Sequence, residues 1–158
     1  PIDKVEFNIE DDEIIEIIKI LIDAGIDINK EARKYNTFRP LDIAVEDGSY
    51  AIIKYLVEEG IETNYWQCHD WTYFDSFDSV LHRLMFDKSY FEDEFEAFKL
   101  LHESGAVLEL TLKDLENGEH SPHPDVQPGF RNFKKELLSH FKESKKIHKY
   151  ILDNTTSD

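Results

Sequence analysis

The chain is poor in cysteine, in long apolar runs and in positive charge. Cys68 is the single cysteine among 158 residues, so no internal disulfide can form and no thiolate cluster can be built from this chain. No stretch approaches the roughly 18 consecutive apolar residues of a membrane helix. The N-terminal region places acids where a signal peptide carries a basic start and an apolar middle. A cytoplasmic protein without membrane contact is therefore expected. Basic side chains number 18 against 34 acidic ones, a formal net charge of −16. That balance disfavours nucleic acid phosphates and anionic lipid, and it favours a basic protein as partner. Residues 1–129 hold 11 basic and 30 acidic groups, whereas residues 130–158 hold 7 and 4, so the C-terminal segment is cationic.

Motifs of catalysis are scarce too. There is no Gly-rich phosphate loop, no nucleophile elbow and no pair of histidines at zinc spacing on a helix. Cys68, His69 and Asp70 could supply a thiol, an imidazole and a carboxylate, but adjacent residues seldom point into one site. A loop cysteine beside a surface histidine is the plainer reading. His120 and His123, in "HSPH", could clip a metal in a flexible loop, but a plain solvated loop is the favoured reading. The expectation is no catalytic residue, no metal and no cofactor.

What the chain has is helix punctuation. "EDDEIIEIIKILIDAGIDIN" opens with acids suited to a helix start, continues through Ile14, Ile15, Ile17, Ile18, Leu21 and Ile22, and stops at Gly25. "YAIIKYLVEEGIETN" repeats that order through Leu56 and Gly60, and "FEAFKLLHESGAVLEL" does so through Leu101 and Gly105. The three glycines lie 35 and 45 positions apart, an interval typical of helical solenoid repeats. Before the first helix, "PIDKVEFNI" alternates Val5, Phe7 and Ile9 and reads as a strand or capping arm.

The segment "TFRPLDIAVEDGSYAIIKYLVEEGIETN" resembles a complete ankyrin repeat. Arg39, Pro40, Leu41, Asp42, Ile43 and Ala44 occupy the places of the family's TPLHxA signature. Pro40 suits a first helical turn, and Leu41 and Ala44 would face the neighbouring repeat. A further copy places Ser79, Val80, Leu81, His82, Arg83 and Leu84 at the signature and keeps its Leu and His. The resemblance spans about residues 13–110 and is strongest in the middle copy. It departs through insertions at "DKSYFEDEFE" and between Asn64 and Asp78.

The resemblance implies a single all-α domain: an N-terminal arm (1–12), an ankyrin-like solenoid of three repeats with long inter-repeat loops (13–110), a loop (111–129) and a C-terminal helical cap (130–158). In that last segment Phe130, Phe133, Leu137, Leu138, Phe141, Ile147, Tyr150 and Ile151 recur at helical spacing. They form one amphipathic helix or a pair broken near Ser144, and "NTTSD" is expected to fray.

The resemblance also implies a protein-binding function. Asn64–Asp78 falls where ankyrin proteins project turn or hairpin fingers, and between Thr63 and Phe77 it carries six aromatic rings. Six exposed rings would leave a large apolar patch, so the aromatics divide between core filling and partner contact. The candidate contact residues are Tyr65, Trp66, Asp70, Trp71, Tyr73, Phe74, Asp75 and Asp78. The run Glu92, Asp93 and Glu94 joins them, either as contact or as a solvated helix start. Small, acidic ankyrin-like proteins of this kind resemble the ankyrin type of bacterial immunity protein, which implies a cognate toxin domain, a basic nuclease, as partner. A regulatory or scaffold module binding a cellular protein is the alternative, and a metal-dependent enzyme using Cys68, His69, His120 or His123 a distant one.

Overall fold

The three expected helix stops are one structure repeated. In the computed structural model, which describes residues 9–30, 39–47, 49–64, 66–68, 77–84, 93–109 and 133–156, helix α1 spans Asp11–Asp23, α3 spans Tyr50–Glu58 and α5 spans Glu94–Glu103. Gly60 N–H donates to the Val57 carbonyl at 3.0 Å, and Ile61 N–H donates to the Leu56 carbonyl at 3.1 Å. The equivalent pairs at Gly25 and Gly105 join Ile22, Leu21, His102 and Leu101 in the same way. This is the Schellman arrangement, which satisfies the last helical carbonyls by turning one residue into positive φ. The three glycines have φ of +91°, +83° and +125°, values that cost a side-chain-bearing residue about 1–2 kcal/mol.

The positions differ in their surroundings. A Cβ at Gly60 would meet nothing within 4 Å, whereas one at Gly105 would lie 3.2 Å from Thr63 Oγ1. Gly60→Ala is therefore expected to cost about 1 kcal/mol and Gly105→Ala about 2 kcal/mol, read as a shift in urea midpoint at unchanged slope. Equal losses would show that the Thr63 contact carries no weight.

Helix starts are equally local. Asp11, Asp12 and Glu13 occupy the first turn of α1, where the helix dipole favours anions, and Glu10 N–H donates to the Glu13 carboxylate at 3.3 Å. Helix α2, Pro40–Asp47, begins with proline at a position that needs no N–H. Asp42, fully buried, reaches back to accept the Arg39 N–H at 2.8 Å. Ser49 caps α3 by accepting Ile52 N–H at 3.3 Å, and its hydroxyl donates to Asp11 at 2.8 Å, tying the starts of α1 and α3 together.

Between α3 and α5 come strand β1 (Trp66–Cys68), strand β2 (Phe77–Ser79) and the short helix α4 (Val80–Arg83). The C-terminal region is a helix pair: α6 (Phe133–His140) and α7 (Lys145–Asp153), parted at Ser144. Ser144 Oγ accepts Ile147 N–H at 3.4 Å, the same device as at Ser49. Among the described residues the fold is all-α except for the short ribbon formed by β1 and β2.

The helices pack in order. α3 touches α1, α2 and α5; α4 touches α2 and α5; α7 touches α5 and α6. One buried apolar cluster runs from Leu41, Ile53 and Leu56 through Leu81, Phe98 and Leu101 to Phe141 and Ile147. Leu41 and Ala44 are buried in it, as are Val80, Leu81 and Leu84. α1 contributes only half-buried Ile14, Ile15 and Ile18.

Two expectations about the termini need adjustment. Helix α1 begins at Asp11, inside the expected arm, and residues 1–8 lie outside the described residues. At the other end, where fraying was expected, Asn154–Thr156 make hydrogen bonds, and residues 157–158 lie outside the described residues. Asn154 Nδ2 donates to the Tyr150 carbonyl and Thr155 Oγ1 to the Ile151 carbonyl, at 2.8 and 2.7 Å. The Thr156 N–H donates to Glu109 at 3.1 Å. Side chains there add a second bond to the helix-end carbonyls that the Asn154 N–H already reaches.

Candidate partner-binding surface

The segment read as a projecting finger has a built base. Strands β1 and β2 pair antiparallel, with Trp66 opposite Ser79, Gln67 opposite Asp78 and Cys68 opposite Phe77. The incoming side is pinned by Thr63, nearly fully buried, whose hydroxyl donates to the Ser104 carbonyl at 2.9 Å. The outgoing side runs straight from β2 into α4, where Ser79, Val80 and Leu81 are buried. Both ends of the insertion therefore start from ordered core, which lowers the entropic cost of holding whatever it carries.

The neighbouring loops are laced at the same edge. Glu62 N–H donates to Asn29 Oδ1 at 2.8 Å, bridging the loops that follow α1 and α3 across 33 positions. Arg39 reaches Glu62 with Nη1 and Oε2 2.8 Å apart. Asn29 is itself oriented, because its N–H donates to Asp27 Oδ1 at 2.9 Å in the Asx-turn manner.

Of the sequence-predicted contact residues, Trp66 and Asp78 are placed through their backbone in β1 and β2. Tyr65, Asp70, Trp71, Tyr73, Phe74, Asp75 and Glu92 lie outside the described residues. Asp93 is exposed at the N-cap position of α5, and Glu94 is half-buried in the first turn with Glu96 exposed beside it. Those acids stand where the helix dipole favours them, which matches the reading of a helix start.

Among the candidates for chemistry, His69, His120 and His123 are outside the described residues, and Cys68 and His82 are placed by backbone alone, in β1 and α4. Among the described residues no three His, Cys, Asp or Glu side chains gather in a metal-binding group, and no helix is long and apolar enough to cross a membrane.

A polar pair that sequence reading did not single out sits where α5 meets α7. His102 Nδ1 and the Tyr150 hydroxyl are 2.8 Å apart, with rings edge-on at 5.5 Å. Burial lowers the pKa of His102 against a weaker opposing pull from Glu103, and burial together with Glu103 raises that of Tyr150. A folded-state pKa below the ordinary 6.5 means that the unfolded chain takes up a proton first as pH falls. The stability from neutral His102 is thus complete above pH 6.5 and is lost as pH drops from there through the folded-state value. Wild type is expected to lose thermal stability relative to His102→Gln between pH 7.5 and 5.5; a constant gap in Tm across that range would refute the assignment. The only sequence signal for this pair was two helices whose spacing could bring them together.

No protein-family model matches this chain, and no curated protein sequence matches it.

Proposed function

We propose that the chain is a divergent ankyrin-like stack that binds a basic protein without catalysing a reaction, and that its role is that of an immunity or inhibitor protein occluding a cognate toxin, a nuclease in the sharpest form of the reading. The observation that carries this reading is the repetition of one loop design: a Schellman stop at each of three glycines, with Asn29 bonded to Glu62 and Thr63 to Ser104 from loop to loop. Ankyrin-like layering needs that kind of bond between successive repeats, because each repeat contacts only its neighbours. In this reading α2 with α3 and α4 with α5 are successive helix pairs. α6 with α7 covers the last of them as a terminal pair, its Ser144 start echoing Ser49.

The mechanism is occlusion. A net charge of −16 steers a cationic partner and raises the association rate, an effect that salt screens. The aromatics between β1 and β2 then anchor it, since buried Trp and Tyr dominate interface energies.

The test is kinetic, using the protein that co-purifies with the chain from its source cell. Trp66→Ala and Trp71→Ala should each speed dissociation roughly thirtyfold, the equivalent of about 2 kcal/mol. Neutralising Asp75 and Asp78 should mainly slow association and flatten its salt dependence. Complex lifetimes untouched by either tryptophan change would remove the finger from the interface. A partner whose activity survives complex formation would favour the scaffold reading over inhibition.

A further inference from the structure

We propose that the outer face of α1 is a second docking surface, fitted to a basic amphipathic segment of another protein. Five of the seven exposed large apolar side chains among the described residues belong to α1 and its flanks: Ile9, Ile17, Ile20, Leu21 and Ile26, from 42% to 67% accessible. The other two, Ile43 and Leu152, lie singly on α2 and α7, and single exposed apolar residues are ordinary. Clustering on one helix is not ordinary, because patches of this kind mark interaction sites.

The face is bordered by one sign of charge. Ile9 and Ile17 line a shallow depression together with Asp12, Glu13 and Glu16. Lys19 is the one basic residue of α1, and its ammonium is held 3.0 Å from Glu16. An apolar floor with an acidic rim fits a helix that presents Leu or Ile at i, i+3, i+4 and i+7 with Lys or Arg beside them.

A second copy of the chain fits poorly. Pairing α1 with α1 sets Asp12, Glu13 and Glu16 against themselves. Pairing α1 head-to-tail with α7 meets Lys145, Lys146 and Lys149, but only one exposed large apolar side chain, Leu152. Charge would be matched there and the apolar floor left uncovered. Two chains of net charge −16 also repel as wholes.

This proposal uses none of the residues assigned to the finger, and its test does not depend on the proposed function. The probe is a synthetic helical peptide with leucines on one face and lysines on the other. Its binding to the full chain is followed by fluorescence anisotropy beside two controls, one with the leucines scattered and one with glutamate in place of lysine. The leucine–lysine peptide should bind and the controls should not. Ile17→Asp combined with Ile20→Asp should weaken binding at least about tenfold, and Glu16→Lys should weaken it and flatten its salt dependence. Ile43→Asp, Trp66→Ala and Trp71→Ala should leave it unchanged. Both α1 isoleucines are at least half exposed, so the double variant should keep its circular dichroism and Tm. Equal loss with Ile43→Asp, or equal binding of the scattered peptide, would reduce the effect to bulk charge and overturn the proposal. So would a dimer in sedimentation that Ile20→Asp dissociates, which would make a second copy the occupant. Binding that emerges only after removal of residues 1–8 would overturn it too, by giving the face to the chain's own start.

Discussion

Phe98→Ala is expected to lower the free energy of unfolding by about 3–5 kcal/mol, the range for deleting a fully buried aromatic ring. Phe98 has no accessible surface. Its ring meets Phe141 edge-on at 5.1 Å and Tyr150 edge-on at 6.1 Å, so one side chain joins α5 to α7 and to the turn that directly follows α6. Removing it takes away the burial, leaves a cavity between helices that cannot easily close, and forfeits edge-to-face attraction worth about 0.5–1.5 kcal/mol per pair. Phe98→Leu keeps most of the volume and should cost about 1–2 kcal/mol. Half-buried Phe95, which meets Tyr150 at 6.0 Å, should tolerate alanine better than Phe98. Urea unfolding followed by circular dichroism measures all three. A loss below about 1 kcal/mol for Phe98→Ala would mean that α6 and α7 are not held to α5 through this ring.

Asp42→Ala is the second large effect, at about 2–3 kcal/mol. The carboxylate is fully buried and accepts the Arg39 N–H at 2.8 Å, so it fastens the start of α2 from inside the core. Alanine would leave that donor without this acceptor in a place water reaches poorly, and removing one partner of a buried hydrogen bond costs more than the bond itself contributes. Asp42→Asn keeps an acceptor oxygen and should recover about half of the loss. Should alanine and asparagine cost the same, the charge and not the bond to Arg39 would be what the site requires. An acid at the third helical residue here performs the local task of closing the helix start.

How far the sequence could be read differs from element to element. The stops at Gly25, Gly60 and Gly105 were legible because a left-handed turn after an apolar helix is a local demand that glycine meets most readily. The start at Pro40 was legible because the first helical turn needs no N–H there, whereas a break at Ser144 was one of two readings and α1 begins at Asp11, inside the expected arm. The ribbon was visible only as a place where a finger should project. Its register, Trp66 opposite Ser79, depends on pairing across an insertion and has no local signature. The His102–Tyr150 contact joins residues 48 positions apart, which no periodicity announces.

By itself the sequence determined the three glycine stops, the strongly anionic body with its cationic tail segment, and the order in which apolar stripes recur, since each of these follows from neighbouring residues or from simple counting. Tertiary structure alone decided which stripes are covered. α1 and α3 carry nearly the same apolar spacing, yet Ile52, Ile53 and Leu56 are buried while Ile17, Ile20 and Leu21 face outward. The reason is the number of neighbours: α3 has α1, α2 and α5 against it, whereas among the described helices α1 packs principally on α3. An apolar side chain leaves water only where another element stands beside it.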